Sequence, residues 1–555
     1  MAGSDYLTRR KAIEESMSGY ATATQGRPMG FDATLLHFYE TQAGDTNRLE
    51  IYGYTDRFSY APGESVSLHV STTADRYAIE VQRDGASPET VYRVEDQPGA
   101  LHPTPADCSA RGCGWPVSHV FEISADWPSG FYRIFLHAGR GDARARHEHF
   151  FVVRPEGAAR RNRMLLVHAT ATWTAYNGWG GSSHYGGIEG PEHDQRSSRL
   201  SIQRPFERGF LWLPVGAPRI PIRDASPPGA IPIYPNFDFA YSRGFGKFYA
   251  AAGYPTFQRP FLVWAEQNGY DFDHFTQHDL DARPELLESY AAVVIVGHDE
   301  YWTREMREAI DGYVDSGGHV ARFGANFMWQ IRLEDEGNTQ VCHWGGDDDP
   351  VLGTDRQHLF TSAWEDPRVG WPGARSTGLN ACRGMYARIS GATPRSSGGY
   401  TVYRPEHWAF EGTDLYFGDV FGGEAQLAGY EVDGVDYTFH GGLPHPTGKD
   451  GAPDNLEILA MAPATIGATE RSHDGAVYFV GEADLHVAAA LVLGEDTNEN
   501  REKLVRGSGM MAAFERGRGS VFNAGTCEWV SGLIHRDIFT ERITRNVLDR
   551  FARSE

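Results

Sequence analysis

The stretch from Ala292 to Trp302 (Ala-Val-Val-Ile-Val-Gly-His-Asp-Glu-Tyr-Trp) limits the fold more than any other. Its first five residues are apolar without interruption and too few for a free-standing helix, so they read as a strand covered on both faces. Such a strand belongs near the centre of a parallel sheet with helices packed above and below it. Gly297 ends the apolar run, and His298, Asp299, Glu300 and Tyr301 crowd proton donors and lone pairs onto its exit. Ligands of open α/β sheets bind at that end of the strands. Thr303 can cap the next segment, where Met306, Ile310, Tyr313 and Val314 recur at helical spacing until Gly317-Gly318 stops it. His319 to Phe323 reads as a second strand, leaving at Gly324-Ala-Asn326. Strand, polar exit, helix and strand form one βαβ unit, and its first exit is the expected seat of chemistry.

At 555 residues the chain exceeds what one core organises, so two domains or more are expected. Its 51 basic and 74 acidic residues give a formal charge of −23, which repels phosphate backbones and anionic lipid surfaces and argues against nucleic acid as a partner. No apolar run approaches the roughly 18 residues a membrane helix needs, and residues 1 to 30 lack a secretory pattern. A soluble cytoplasmic protein is expected, and nothing in the pattern opposes a homo-oligomer. The cysteines, Cys108, Cys113, Cys342, Cys382 and Cys527, are scattered and odd in number, which suits a reducing compartment.

Residues 1–48 read as a polar N-terminal arm. From Leu49 the pattern alternates with a period of two (Val66, Leu68, Val70; Tyr77, Ile79, Val81), with turn signals between segments, which predicts a small antiparallel β-sandwich over 49–155. Pro155 to Arg163 has the composition of a linker. A larger α/β domain is expected over 160–555, with βαβ alternation and a long insertion at about 332–399. Its first strand, Met164 to Val167, exits at His168. An aromatic, glycine-rich loop follows, Trp173 to Tyr185, with Tyr176, His184 and Tyr185 as its polar tips. Phe261 to Gly269 and Asp279 to Glu288 read as helices. Tyr270 to Phe275, Leu427 to Val435 and Ala476 to Gly481 read as strands, and Gly519 to Trp529 repeats the theme of a strand with a polar exit.

His298 and Glu300 could orient or deprotonate a water, and Tyr301 could donate to a developing oxyanion or bind a hard trivalent metal as phenolate. The structural alternative is that Asp299 and Glu300 merely cap the helix starting near Thr303. Nucleophilic-serine chemistry lacks its GxSxG elbow, zinc hydrolysis its HExxH, and nucleotide binding its glycine-rich loops. Asp347-Asp-Asp349 lacks the ligand alternation of a calcium loop and reads as a solvated turn.

Several motifs occur in an order that is similar to the catalytic-subunit family of N,N-dimethylformamidase. They are Gly297-His-Asp-Glu-Tyr-Trp302, Gly324-Ala-Asn-Phe-Met-Trp-Gln-Ile-Arg-Leu333, Tyr403-Arg-Pro-Glu-His-Trp-Ala-Phe-Glu411, Gly429-Tyr-Glu-Val-Asp-Gly434 and Phe522-Asn-Ala-Gly525. The resemblance covers about residues 160 to 555. It implies a mostly parallel sheet akin to class I glutamine amidotransferases and hydrolysis of the C–N bond of a small-molecule amide. It also implies a ferric ion held by two tyrosinates and one carboxylate. On it, His298, Glu300 and Tyr301 are the expected catalytic residues and Tyr301 a metal ligand. The upstream region expected to hold the second tyrosine offers Pro260, Phe261 and Tyr254, and Thr377 to Arg383 holds no carboxylate. His168, Tyr176, Asn326 and Glu528 are therefore the further pocket candidates. The competing reading is a non-catalytic, carbohydrate-binding protein that uses the sandwich and the aromatic loop.

Overall fold

The computed structural model describes residues 39–156, 163–188, 195–222, 234–387, 397–466, 482–505 and 507–553. Most of the N-terminal arm, most of the linker and the strand expected at Ala476 to Gly481 lie outside these residues.

The first layered unit consists of two sheets. One sheet holds Ile51–Thr55, Ser65–Thr72 and His119–Glu122, the other Ser59–Tyr60, Arg76–Arg83, Glu89–Pro98, Gly130–Arg140 and Ala143–Val153. Pairing is antiparallel except where Ser59–Tyr60 runs parallel to Ala143–Val153. Alternate residues point inward, so Val66, Leu68, Ile79, Val81, Ile134 and Leu136 form its own core.

The second unit is built on a nine-stranded sheet. Its strands, in chain order, are β1 (Met164–His168), β2 (Asp273–Thr276), β3 (Ala292–His298), β4 (His319–Ala325), β5 (Tyr400–Val402), β6 (Val420–Phe421), β7 (Glu457–Ala464), β8 (Gly507–Arg516) and β9 (Gly519–Asn523). Their order across the sheet is β2-β1-β3-β4-β9-β8-β7-β5-β6. The first five are parallel. From β9 onward every pairing is antiparallel. The mostly parallel sheet expected from the sequence is therefore a mixed sheet. The parallel half follows the βαβ connections, whereas β8 and β9 are joined by a tight hairpin at Gly517 that only antiparallel strands allow.

Four helices matter for the site: α1 (Thr170–Tyr176), α2 (Gln258–Gln267), α3 (Arg304–Asp315) and α4 (Ile538–Arg553). Thr303 caps α3, its hydroxyl accepting from the Met306 N–H at 3.0 Å. The helix expected at Asp279 to Glu288 is instead split. An α-turn at Gln277–Ala282 gives way to a 3-10 turn at Pro284–Ser289, because Pro284 cannot continue the hydrogen-bond ladder. In the insertion, Asp349 turns inward to Arg332 while Asp347 and Asp348 stay exposed.

The two units share one hydrophobic core. Phe58, Phe131 and Phe150 of the sandwich pack in the same cluster as Trp173, Phe206 and Tyr254, and Phe131 stacks on Tyr254 at 3.6 Å between ring centroids. Ion pairs flank the contact: Asp84 binds both Arg133 and Arg259, and Arg83 meets Glu266.

Candidate active site

Gly297 shapes the exit of β3. Its φ is +82°, and a Cβ there would lie 2.2 Å from Cβ of Phe257, so only glycine fits. Beyond this bend, His298 and Glu300 turn to one side of the strand end, toward α1. Asp299 turns to the other side, accepting from Trp302 Nε1 at 2.9 Å and Gln277 Nε2 at 3.1 Å and facing Arg322. Neither carboxylate caps α3, which disposes of the capping reading.

Glu300 sits at the focus of a ring of donors. Tyr176 on α1 donates to its Oε2 at 2.9 Å. The Tyr185 hydroxyl lies 2.8 and 2.7 Å from its two oxygens, and Trp329 Nε1 donates to Oε1 at 2.8 Å. The Glu300 backbone N–H is held by Thr172 Oγ1 at 2.9 Å. Tyr301 does not reach Glu300 directly; its hydroxyl donates to that of Tyr185 at 2.7 Å. Glu300 and Tyr301 are buried, and Tyr185, 36% exposed, is the most open member. Burial first, and the negative charge of Glu300 next, push all three phenols well above their ordinary range. They ionise there only with a cation to compensate.

Short-range structure places these groups. The loop after α1 is pinned by the His184 N–H to the Ala175 carbonyl and by His184 Nδ1 against the Ser197 carbonyl at 2.7 Å. This brings Tyr185 over Tyr176, with ring centroids 4.2 Å apart and Phe248 against both.

A second group adjoins the first. His298 Nδ1 meets the Ala251 carbonyl, which leaves Nε2 facing Glu431 at 2.8 Å, Asn326 Nδ2 at 3.0 Å and Glu300 at 3.3 Å. Asn326 also donates to Glu431 at 2.9 Å. Asn326 has φ +63°, a left-handed conformation asparagine tolerates, and Asp433 stabilises it by accepting from the Asn326 N–H at 2.7 Å. Glu431 and Asp433 lie two residues apart on the strand Glu431–Gly434 and share one face. Burial would push His298 down, but Glu431 and Glu300 outweigh it and hold the imidazolium well above its ordinary range. Burial raises Glu431, partly offset by His298.

The structure thus gathers His298, Glu300, Tyr301, Tyr176 and Asn326. His168 lies elsewhere, packed among Phe131, Trp173 and Tyr254 and bonded to His274 at 2.9 Å. Glu528 is held by Arg219 at 2.5 Å. Tyr254 belongs to the core beneath the sandwich. Tyr185, Trp329 and Glu431 join the site without having been singled out as site residues. Tyr185 stood among the polar tips of the aromatic loop, and the alternation of two buried acids in Glu431-Val-Asp433 was the available signal for Glu431.

Among the described residues no helix is long and apolar enough to cross a membrane. Two solved structures show weak likeness. A family 123 glycoside hydrolase from Clostridium perfringens has 9% identity and a TM-score of 0.10, covering 23% of this chain and 31% of its own. A beta-D-glucuronidase from Dictyoglomus thermophilum has 7% identity and a TM-score of 0.13, covering 49% and 43%. Neither carries an argument. By sequence, the N,N-dimethylformamidase beta subunits of Paracoccus aminophilus and of an Alcaligenes species are each 27% identical over 320 residues. These alignments cover 53% of this chain and 36% of each relative, so the match spans about a third of the relatives' length. Residues 75–541 match the family described as N,N-dimethylformamidase beta subunit-like, C-terminal, and the chain therefore belongs to that family.

Proposed function

We propose that this chain hydrolyses the C–N bond of a small amide of the N,N-dimethylformamide class at the Glu300 centre. The observation that carries the reading is the convergence of Tyr176, Tyr185 and Trp329 on one buried carboxylate, beside the buried His298–Glu431 pair. The donor set of two phenols and a carboxylate, each within hydrogen-bond distance of the next, fits a hard trivalent cation such as ferric iron. Tyr176, Tyr185 and Glu300 would hold it, with Tyr301 donating to the Tyr185 oxygen. When bound, such an ion supplies Lewis acidity toward the amide carbonyl.

The remaining chemistry belongs to side chains. Glu300 would be committed to such an ion and to Trp329 Nε1, so Glu431 is the better base. It takes the proton from the water that attacks the carbonyl carbon, and returns a proton to the amine nitrogen as the C–N bond breaks. Its raised affinity for protons matches that double duty. His298 and Asn326, both on Glu431 Oε2, orient the carboxylate and compensate its charge.

The parallel half of the sheet supports kinship with a class I glutamine amidotransferase-like core. The relatives' designation as beta subunits supports work within an assembly, and buried, unpaired cysteines suit a cytoplasmic setting. The test is turnover of N,N-dimethylformamide by the purified chain, read as released amine, together with iron content. Iron near one per chain with a visible phenolate-to-iron band supports the reading. Turnover unchanged in Glu300→Gln would sink it.

A further inference from the structure

We propose that His298 and Glu431 of the hydrolytic centre, together with Cys527, form an overlapping, inhibitory site for a thiophilic divalent cation of the zinc class. The three side chains are fully buried, and one ligand atom from each, an imidazole nitrogen, a carboxylate oxygen and the thiol sulfur, all lie within 4.8 Å of one another. This mixture of nitrogen, oxygen and sulfur suits zinc or cadmium and ill suits the hard trivalent ion for which phenols are chosen.

Two features of the backbone build the site. The Ala251 carbonyl fixes the imidazole through Nδ1, the usual support of a metal-binding histidine, and leaves Nε2 as the atom offered to a ligand. The Cys527 N–H donates to the Glu431 carbonyl at 3.0 Å and Thr526 bridges Val432, so the thiol and the carboxylate are neighbours across two paired segments. Asn326, which donates to Glu431, can remain as support for the carboxylate. Nε2 faces carboxylate oxygens of both Glu431 and Glu300, at 2.8 and 3.3 Å. Binding of the cation breaks the Nε2–H and the Cys527 S–H bonds, releases both protons to solvent and forms metal bonds to nitrogen, sulfur and the Glu431 oxygen. It also takes away the base, which is why the site is inhibitory. Only that word rests on the amide-hydrolase reading; the binding itself does not.

Cys527 performs no step in hydrolysis, so it isolates the site. The full chain is titrated with Cd²⁺ while the near-ultraviolet thiolate-to-metal absorption is followed, and amide turnover is measured against Zn²⁺. One thiolate-bound cadmium per chain is expected. Cys527→Ser should lose the band and raise the inhibiting zinc concentration about tenfold to a hundredfold, with turnover in the absence of added zinc unchanged. Cys527→Ala, checked for an unchanged melt, guards against a folding artefact, and Cys382→Ser, at another buried thiol, should keep both responses. A band or a zinc response that survives both Cys527 variants overturns the site. If the chain turns over no amide, the functional reading falls while the cadmium band still decides this one.

Discussion

His168 and His298 are the last residues of adjacent parallel strands, β1 and β3, and both are buried, yet one belongs to a core and the other to a site. His168 is surrounded by the rings of Phe131, Trp173 and Tyr254, and burial pushes it down to about 3, so it stays neutral. His298 meets the same burial but faces Glu431 and Glu300, which hold it up as imidazolium. A polar residue at a strand exit is thus not yet a functional one. What separates them is whether groups of opposite charge converge on it from other elements. Here they are Glu431, from the strand Glu431–Gly434, and Glu300, from the chain just past the end of β3.

The comparison breaks most completely if the sandwich is removed, because Phe131 forms the lid on the His168 side. A chain cut to start at Arg160 loses Phe58, Phe131 and Phe150 from a shared core. At roughly 1.5–3 kcal/mol for each buried ring, this rivals the whole stability of an ordinary domain. Aggregated or molten protein is expected. A monomeric product with a cooperative melt would show that the larger unit carries its own complete core.

Less drastic substitutions should separate the two histidine environments by activity. Glu431→Gln keeps the shape and hydrogen-bonding reach but removes the base, so kcat should fall by about 10²–10⁴ with the melt nearly unchanged. His168→Gln should do the reverse. It loses ring packing worth on the order of 1–2 kcal/mol, while kcat stays within about twofold. Equal activity losses in the two would mean that the β1 exit takes part in catalysis.

Within the site, the phenols should also be unequal. Tyr185→Phe removes an oxygen that touches both Glu300 oxygens and should cost about a hundredfold in kcat/KM, about 3 kcal/mol. Tyr301→Phe removes only a donor to Tyr185 and should cost about tenfold, about 1.4 kcal/mol. Kinetics of the pair check the order, and a larger effect at Tyr301 would reassign it as a direct participant.

Local pattern made the centre of this fold legible. The apolar run of β3, the glycine bend, the Thr303 cap and the period-two alternation of the sandwich are all short-range signals, and each corresponds to an element of the structure. His298, Glu300 and Tyr301 could be marked because they fall within one run of four polar residues. Tyr185 showed only as one polar tip of the aromatic loop and Glu431 only as one of two alternating acids, since they reach the site over 115 and 131 residues of chain, and nothing local distinguishes a tyrosine that meets Glu300 from Tyr254, which stacks on Phe131. The antiparallel half of the sheet was missed for a related reason. Strand direction is set by connection length and by partners distant in sequence, while the apolar pattern of β7 or β8 suits either direction.

The smallest expected effect concerns pH and sharpens the same contrast. Because His168 has a folded value of about 3 against roughly 6.5 when unfolded, it binds its proton only in the unfolded chain across that interval. Its contribution to stability is therefore complete above about pH 6.5 and is lost as pH falls toward 3, at up to about 1.4 kcal/mol per pH unit. His298 has the opposite sign, since a raised folded value gives stability that is complete below about pH 6.5 and lost only as pH rises through that raised value. Urea unfolding midpoints at pH 6.5 and 5.5 test this. Glu207 and Glu365, held up by burial to about 8 and about 7, act with the opposite sign to the buried histidines, so the difference between the proteins is the readout: from pH 6.5 to 5.5 the stability of His168→Gln should shift relative to wild type by about 1 kcal/mol in its favour. An identical slope in the two proteins would mean that His168 already carries a proton in the folded state, and its contrast with His298 would no longer hold.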